Sequence, residues 1–131
     1  MILVDTSVLI EFFKNSETEA SRKLEEILMR RIPFGITPSI MQEILQGAVS
    51  EKEFELLRKY LSTQRFYHLK DPINSFIDAA KIYMKCRRKG ITIRSTIDCL
   101  VAQTAIEHDL MLLHNDNDFM RMSKVIPLRF Y

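Results

Sequence analysis

The chain has 131 residues, 47% hydrophobic and 27% charged, with 19 basic and 17 acidic side chains and a formal net charge of +2. This composition argues against a disordered chain and against two domains, and predicts a single domain spanning 1–131, with enough length to bury a core without staples. No apolar run approaches the ~20 residues needed to span a bilayer, and no basic leader precedes Ile2, so the expectation is a cytoplasmic protein with no membrane partner. Cys86 and Cys99 fit no CxxC or Cys/His ligand spacing and read as reduced packing residues.

In chain order, Met1–Val4 is a short, wholly apolar run, the pattern of a strand buried on both faces. Val8, Leu9, Phe12 and Phe13 continue at helical spacing, as do Leu24, Ile27 and Leu28 between Glu17 and Arg30. Phe34–Thr37 reads as a second strand, and Thr37-Pro38 starts the helix that carries Glu43. A helix over Glu51–Leu61 precedes an extended piece at Phe66–Leu69. A longer helix runs from about Ile73 and stops at Gly90. Ser95-Thr96-Ile97-Asp98 opens the next helix, which leads into an apolar strand at Leu110–Leu113 and the loop 114–119. A last helical turn and a strand at Leu128–Tyr131 finish the chain. Alternation of this kind predicts an α/β fold, a three-layer α/β/α sandwich around a short central parallel sheet.

In such a sheet, ligands bind beyond the carboxyl ends of the strands. Asp5 ends the first strand, Glu43 sits early in the helix after the second, Asp98 lies in the first turn of its helix, and Asp116 follows the Leu110–Leu113 strand. Each also has a purely structural reading. Asp98 can close a capping box begun by Ser95, Asp116 can cap the helix carrying Phe119, and Glu43 can be a solvated helix residue. Asp5 resists such a reading, because a carboxylate at the end of a buried strand requires a partner. Four acids at one sheet edge repel one another by about 4 kcal/mol per close pair at an effective dielectric near 20. An all-oxygen set suits a hard cation, Mg²⁺ or Mn²⁺, and the chemistry that follows is phosphodiester hydrolysis.

At these residues the sequence resembles the PIN-domain family, and within it the VapC-type ribonuclease toxins of toxin–antitoxin pairs. The resemblance is carried by Ile2-Leu3-Val4-Asp5-Thr6-Ser7, by Thr37-Pro38-Ser39 with Glu43, by Asp98 with the helix Cys99–Ile106, and by Leu112-Leu113-His114-Asn115-Asp116-Asn117-Asp118-Phe119. It implies a PIN-like fold with Asp5, Glu43, Asp98 and Asp116 as catalytic and metal-binding residues around Mg²⁺ or Mn²⁺. It further implies Asp118 as an auxiliary acid, and Thr6 or Ser7 as hydrogen-bonding support. The partners it implies are RNA, tRNA among the candidates, a VapB-like antitoxin and a second copy of the chain in a homodimer. Many relatives carry Thr where this chain has His114, so His114 is given no role.

Six basic residues, Lys81, Lys85, Arg87, Arg88, Lys89 and Arg94, fall between Asp78 and Asp98 with no acid among them. Arg88, Lys89 and Arg94 approach Asp98 in sequence and are the candidate RNA contacts; the others read as the solvated end of a helix. Three other acid-rich folds fit worse. A phospho-receiver domain requires an acceptor Asp on a middle strand, a haloacid-dehalogenase-type phosphatase requires an Asp where Ser7 stands, and a calcium loop requires a Gly and a closing Glu after Asp116. A catalytically inactive PIN-fold RNA-binding or scaffold protein is the remaining alternative.

Overall fold

Strand β1 (Ile2–Val4) is buried at every position, as its unbroken apolar sequence dictates. The computed structural model describes residues 1–131, and around β1 it assembles a five-stranded sheet in the order β3-β2-β1-β4-β5 with every pairing parallel. The other strands are β2 (Phe34–Ile36), β3 (Arg65–Phe66), β4 (Met111–Leu113) and β5 (Arg129–Phe130). Parallel neighbours require crossovers, and seven helices supply them: α1 (Thr6–Phe13), α2 (Glu19–Met29), α3 (Pro38–Gln46), α4 (Glu51–Ser62), α5 (Asn74–Arg88), α6 (Thr96–Glu107) and α7 (Asn117–Met122). With right-handed crossovers the chain winds outward from β1 through β2 to β3, then returns across the sheet to β4 and β5. Helices α1–α4 therefore pack on one face and α5–α7 on the other, giving three α/β/α layers.

The helix starts follow from local chemistry. Thr37 accepts from the Ile40 amide ahead of Pro38, Thr18 forms a capping box with Ser21, and Ser50 caps α4. Gly90 ends the α5 region at φ +76°, a conformation that costs a side-chain-bearing residue energy. The edge strands are shorter than their extended sequences at Phe66–Leu69 and Leu128–Tyr131 predict. β3 pairs only through Gly35↔Arg65 and Ile36↔Phe66, with one further bond from the Tyr67 amide to the Ile36 carbonyl at 2.9 Å. Leu24 and Ile27 of α2 enter the core, whereas Leu28 is exposed. Cys86 and Cys99 are free and buried, as packing residues should be.

Candidate active site

Strand β1 leads outward to β2 on one side, and β4 leads outward to β5 on the other, so the crevice at their carboxyl ends is the switch point where open α/β sheets bind ligands. The Asp5 amide donates to the Leu113 carbonyl at 2.9 Å, which brings the ends of β1 and β4 together. Asp5 is 4% exposed and is the N-cap of α1. Its Oδ2 accepts from the Ser7 hydroxyl at 2.7 Å and from the Ser7 amide at 3.1 Å. The Ser7 hydroxyl in turn accepts from the Asn115 amide at 3.0 Å, tying the loop after β4 to the carboxylate after β1. Across the crevice, the Thr6 hydroxyl donates to Glu43 Oε1 at 2.9 Å, fixing the half-buried Glu43 from α3 against the start of α1.

Asp98 enters from the first turn of α6 and is 9% exposed. Ser95 stands at the N-cap without a side-chain capping bond, so the local capping box that could have explained Asp98 does not form. Burial pushes the Asp98 carboxyl up to about 7, and the charges of Asp5, Asp116, Glu43 and Asp118 act in the same direction. Asp5 is likewise raised, chiefly by burial; its bonds to Ser7 oppose the rise and Glu43 adds to it. Asp116 does serve as a cap: its Oδ1 accepts from the Asp118 amide at 2.9 Å.

Asp118 is different. It is 1% exposed and lies between two guanidinium groups: Oδ1 pairs with Arg121, and Oδ2 accepts from the Arg94 amide at 3.2 Å and faces Arg94 Nε at 3.4 Å. Burial disfavours its charge, yet the hydrogen bonds from Arg121 and Arg94 hold its carboxyl below the usual range. Arg94 also reaches Asp116 Oδ1 at 3.6 Å. The sequence suggests none of these pairs, although the Asp118–Arg121 spacing of three is a familiar helical ion-pair signal. His114 acquires a place as well. Its Nδ1 accepts from the Asp116 amide at 3.1 Å, and its ring lies 5.3 Å from Phe119 and 4.5 Å from Phe130. Burial lowers its pKa, which keeps Nδ1 free to accept.

Of the basic stretch, Lys81 pairs with Asp78 at 3.9 Å and Arg87 donates to the Tyr83 hydroxyl. Arg88 and Lys89 are exposed at the end of α5. The start of α5 lies beside the end of α6, where the Lys70 amide donates to Glu107 and His108 meets the His68 carbonyl. The two helices pack as a hairpin, so Arg88 and Lys89 share the end of α6 that carries Asp98.

No three acidic, histidine or cysteine side chains are already drawn in around a common point. The donor set nevertheless fits a hard divalent ion. Asp98 is buried among acids and pairs with no basic side chain, both Ser7 bonds to Asp5 fall on the one oxygen Oδ2, and all candidate donors are oxygens.

The model of the PIN domain family matches residues 2–125. Ribonuclease VapC11 of Mycobacterium tuberculosis is 32% identical over 130 residues, covering 98% of this chain and 96% of the relative. Ribonuclease VapC1 of Methanocaldococcus jannaschii is 28% identical, covering 99% and 86%. Among solved structures, DNA-bound VapBC from Salmonella typhimurium superposes with a TM-score of 0.76 at 18% identity, covering 99% of this chain and 96% of the other, and shares its fold.

Proposed function

The chain belongs to the PIN-domain family, and on that premise we propose that it is a divalent-metal-dependent endoribonuclease, the toxin of a toxin–antitoxin pair. The observation that carries this reading is Asp98: a carboxyl only 9% exposed, set among the charges of Asp5, Glu43, Asp116 and Asp118 and paired with no basic side chain, is a site whose charge a divalent ion would match. Asp5 and Asp98 would hold Mg²⁺ or Mn²⁺, with Glu43 and Asp116 completing the acidic shell. Such an ion supplies activation of a water and stabilisation of charge on the phosphoryl oxygens. The chain's own residues do the positioning. Ser7 fixes the orientation of Asp5 through two bonds to one oxygen, leaving the other oxygen for a cation, and Thr6 fixes Glu43. Arg88 and Lys89 offer charge to the RNA backbone from the end of α5, and Arg94 offers it at the rim of the acids.

Two protein partners complete the proposal: a VapB-like antitoxin, the partner present in the solved VapBC assembly, and a second copy of the chain. Phe76, Ile77, Tyr83 and Met84 leave an apolar stripe exposed along α5, contact area of the kind such partners cover. No helix is long and apolar enough to cross a membrane. An RNA substrate would place the protein in the cytoplasm.

The test is incubation of the purified protein with single-stranded RNA and with a tRNA pool, with and without Mn²⁺, beside Asp98→Asn. Metal-dependent cleavage that the variant lacks is the expected result. RNA that binds but is never cut, with Mn²⁺ or without it, would instead favour an inactive RNA-binding or scaffold protein. Charge reversal of Arg88 and Lys89 should flatten the salt dependence of RNA binding; an unchanged slope returns them to the solvated helix end.

A further inference from the structure

The Arg94–Asp118–Arg121 cluster does more than neutralise a buried acid. One carboxylate faces two guanidinium groups, so the trio carries a net positive charge beside Asp116, which Arg94 reaches at 3.6 Å, at the rim of the acidic crevice. The two arginines are fixed differently from free surface cations. Arg121 is held on one oxygen of Asp118, and Arg94 is held on the other by both its amide and Nε. Both side chains remain accessible, at 74% exposure for Arg94 and 43% for Arg121, and they border one open depression with Asn117 and Met120. Their bonding is incomplete. Arg94 Nη2 stands 3.6 Å from Asp116, beyond hydrogen-bond length, and Arg121 bonds Asp118 through Nη2 alone. Guanidinium groups with donors to spare match the geometry of phosphate oxygens, to which charge-assisted bonds form at about 2.7–2.9 Å.

We infer that Asp118 is a positioning residue that holds Arg94 and Arg121 as a clamp for an RNA backbone phosphate next to the acidic pocket, an inference that rests on the nuclease reading. Asp118 then stands outside the metal shell, which keeps four acids. Asp116 joins the two regions, capping α7 with the oxygen that faces Arg94.

The experiment separates phosphate binding from metal binding. Single-stranded RNA is titrated in EDTA across a range of salt with the wild-type protein, Arg94→Gln, Arg121→Gln and the double variant, and cleavage kinetics are then measured with Mn²⁺. The salt slope should fall by about 0.7 for each lost phosphate contact. KM should rise by roughly tenfold per arginine while kcat stays within about twofold, the pattern of lost binding. Arg94→Lys, which keeps the charge, should recover part of the slope. Asp118→Asn should reproduce the rise in KM and leave the divalent-ion rise in melting temperature at its wild-type size. If that variant does not fold, the arginine variants decide.

A double variant with wild-type slope and KM overturns the clamp, as does an Asp118→Asn protein that keeps its slope and loses its metal response. If wild-type RNA cleavage stands beside an unchanged slope, the clamp alone falls. If binding depends on the arginines and no RNA is ever cut, hydrolysis falls and the clamp stands.

Discussion

Asp98 and Asp118 are both buried, both lie in the first turn of a helix, and both face the same crevice, yet their carboxyls are driven in opposite directions. Asp98 is raised to about 7 by burial among like charges; Asp118 is held below the usual range because Arg121 and Arg94 outweigh its burial. Depth in the protein therefore does not decide what an acid does. The neighbours decide it. An acid whose charge the protein has already matched is a structural element, and one whose charge it has left unmatched is prepared for a cation from outside.

The largest expected effect breaks this comparison at its unmatched end. Asp98→Asn should lower the rate of RNA cleavage by about a thousandfold or more, measured by single-turnover gel assays, and leave RNA binding in place. Retained cleavage would mean that Asp98 is not the acid that matters.

At the matched end, Asp118→Ala should cost about 2 kcal/mol in urea unfolding, because it removes the charged hydrogen bonds that tie the loop before α6 to α7 and leaves the Arg94 amide without its acceptor. A loss below about 1 kcal/mol would place the pair with ordinary surface ion pairs.

The third expectation concerns pH. Between the ordinary range near 3.8 and its folded value of about 7, Asp98 keeps a proton in the native state that the unfolded chain has released. Metal-free stability should therefore fall as pH rises through that window and level off above it. The shift alone corresponds to about 4 kcal/mol, and solvent screening at this crevice brings the expected loss to about 1–2 kcal/mol. Thermal melts of Asp98→Asn should show a flatter profile. Proton and divalent ion compete for the same carboxyl, so the Mg²⁺-induced rise in melting temperature should be larger at about pH 8 than at about pH 6. The smallest effect sharpens the comparison: Ser7→Ala removes one hydroxyl from between Asp5 and Asn115 and should cost about 1 kcal/mol.

Much of this was legible along the chain. Ile2-Leu3-Val4 has the pattern of a strand buried on both faces, Thr37-Pro38 that of a helix start, and the alternation of strands and helices implies a parallel sheet whose carboxyl edge collects the acids after β1 and β4. The illegible part is long-range. Arg94 and Asp118 lie on different elements, and no local periodicity connects the loop before α6 with α7. Arg94 accordingly reads with Arg88 and Lys89 as a candidate RNA contact, whereas the structure leaves Arg88 and Lys89 exposed and sets Arg94 against Asp116 and Asp118. Asp98 was ambiguous for the converse reason: Ser95 and Asp98 have the spacing of a capping box, and only the packed helix shows that Ser95 does not cap. Asp116 shows that the two kinds of reading are compatible, since it caps α7 and still contributes to the field at Asp98.

The Ser7 hydroxyl, donating to Asp5 and accepting from Asn115, gives the protein a built-in spectroscopic reporter. Hydrogen bonds in series polarise one another, so electron density drawn from the Asp5 carboxylate by a bound cation changes the pull of Ser7 on the Asn115 amide. That amide sits in an exposed residue. Its nitrogen and proton resonances should follow occupancy of the buried site during a metal titration, with no label placed in the crevice itself.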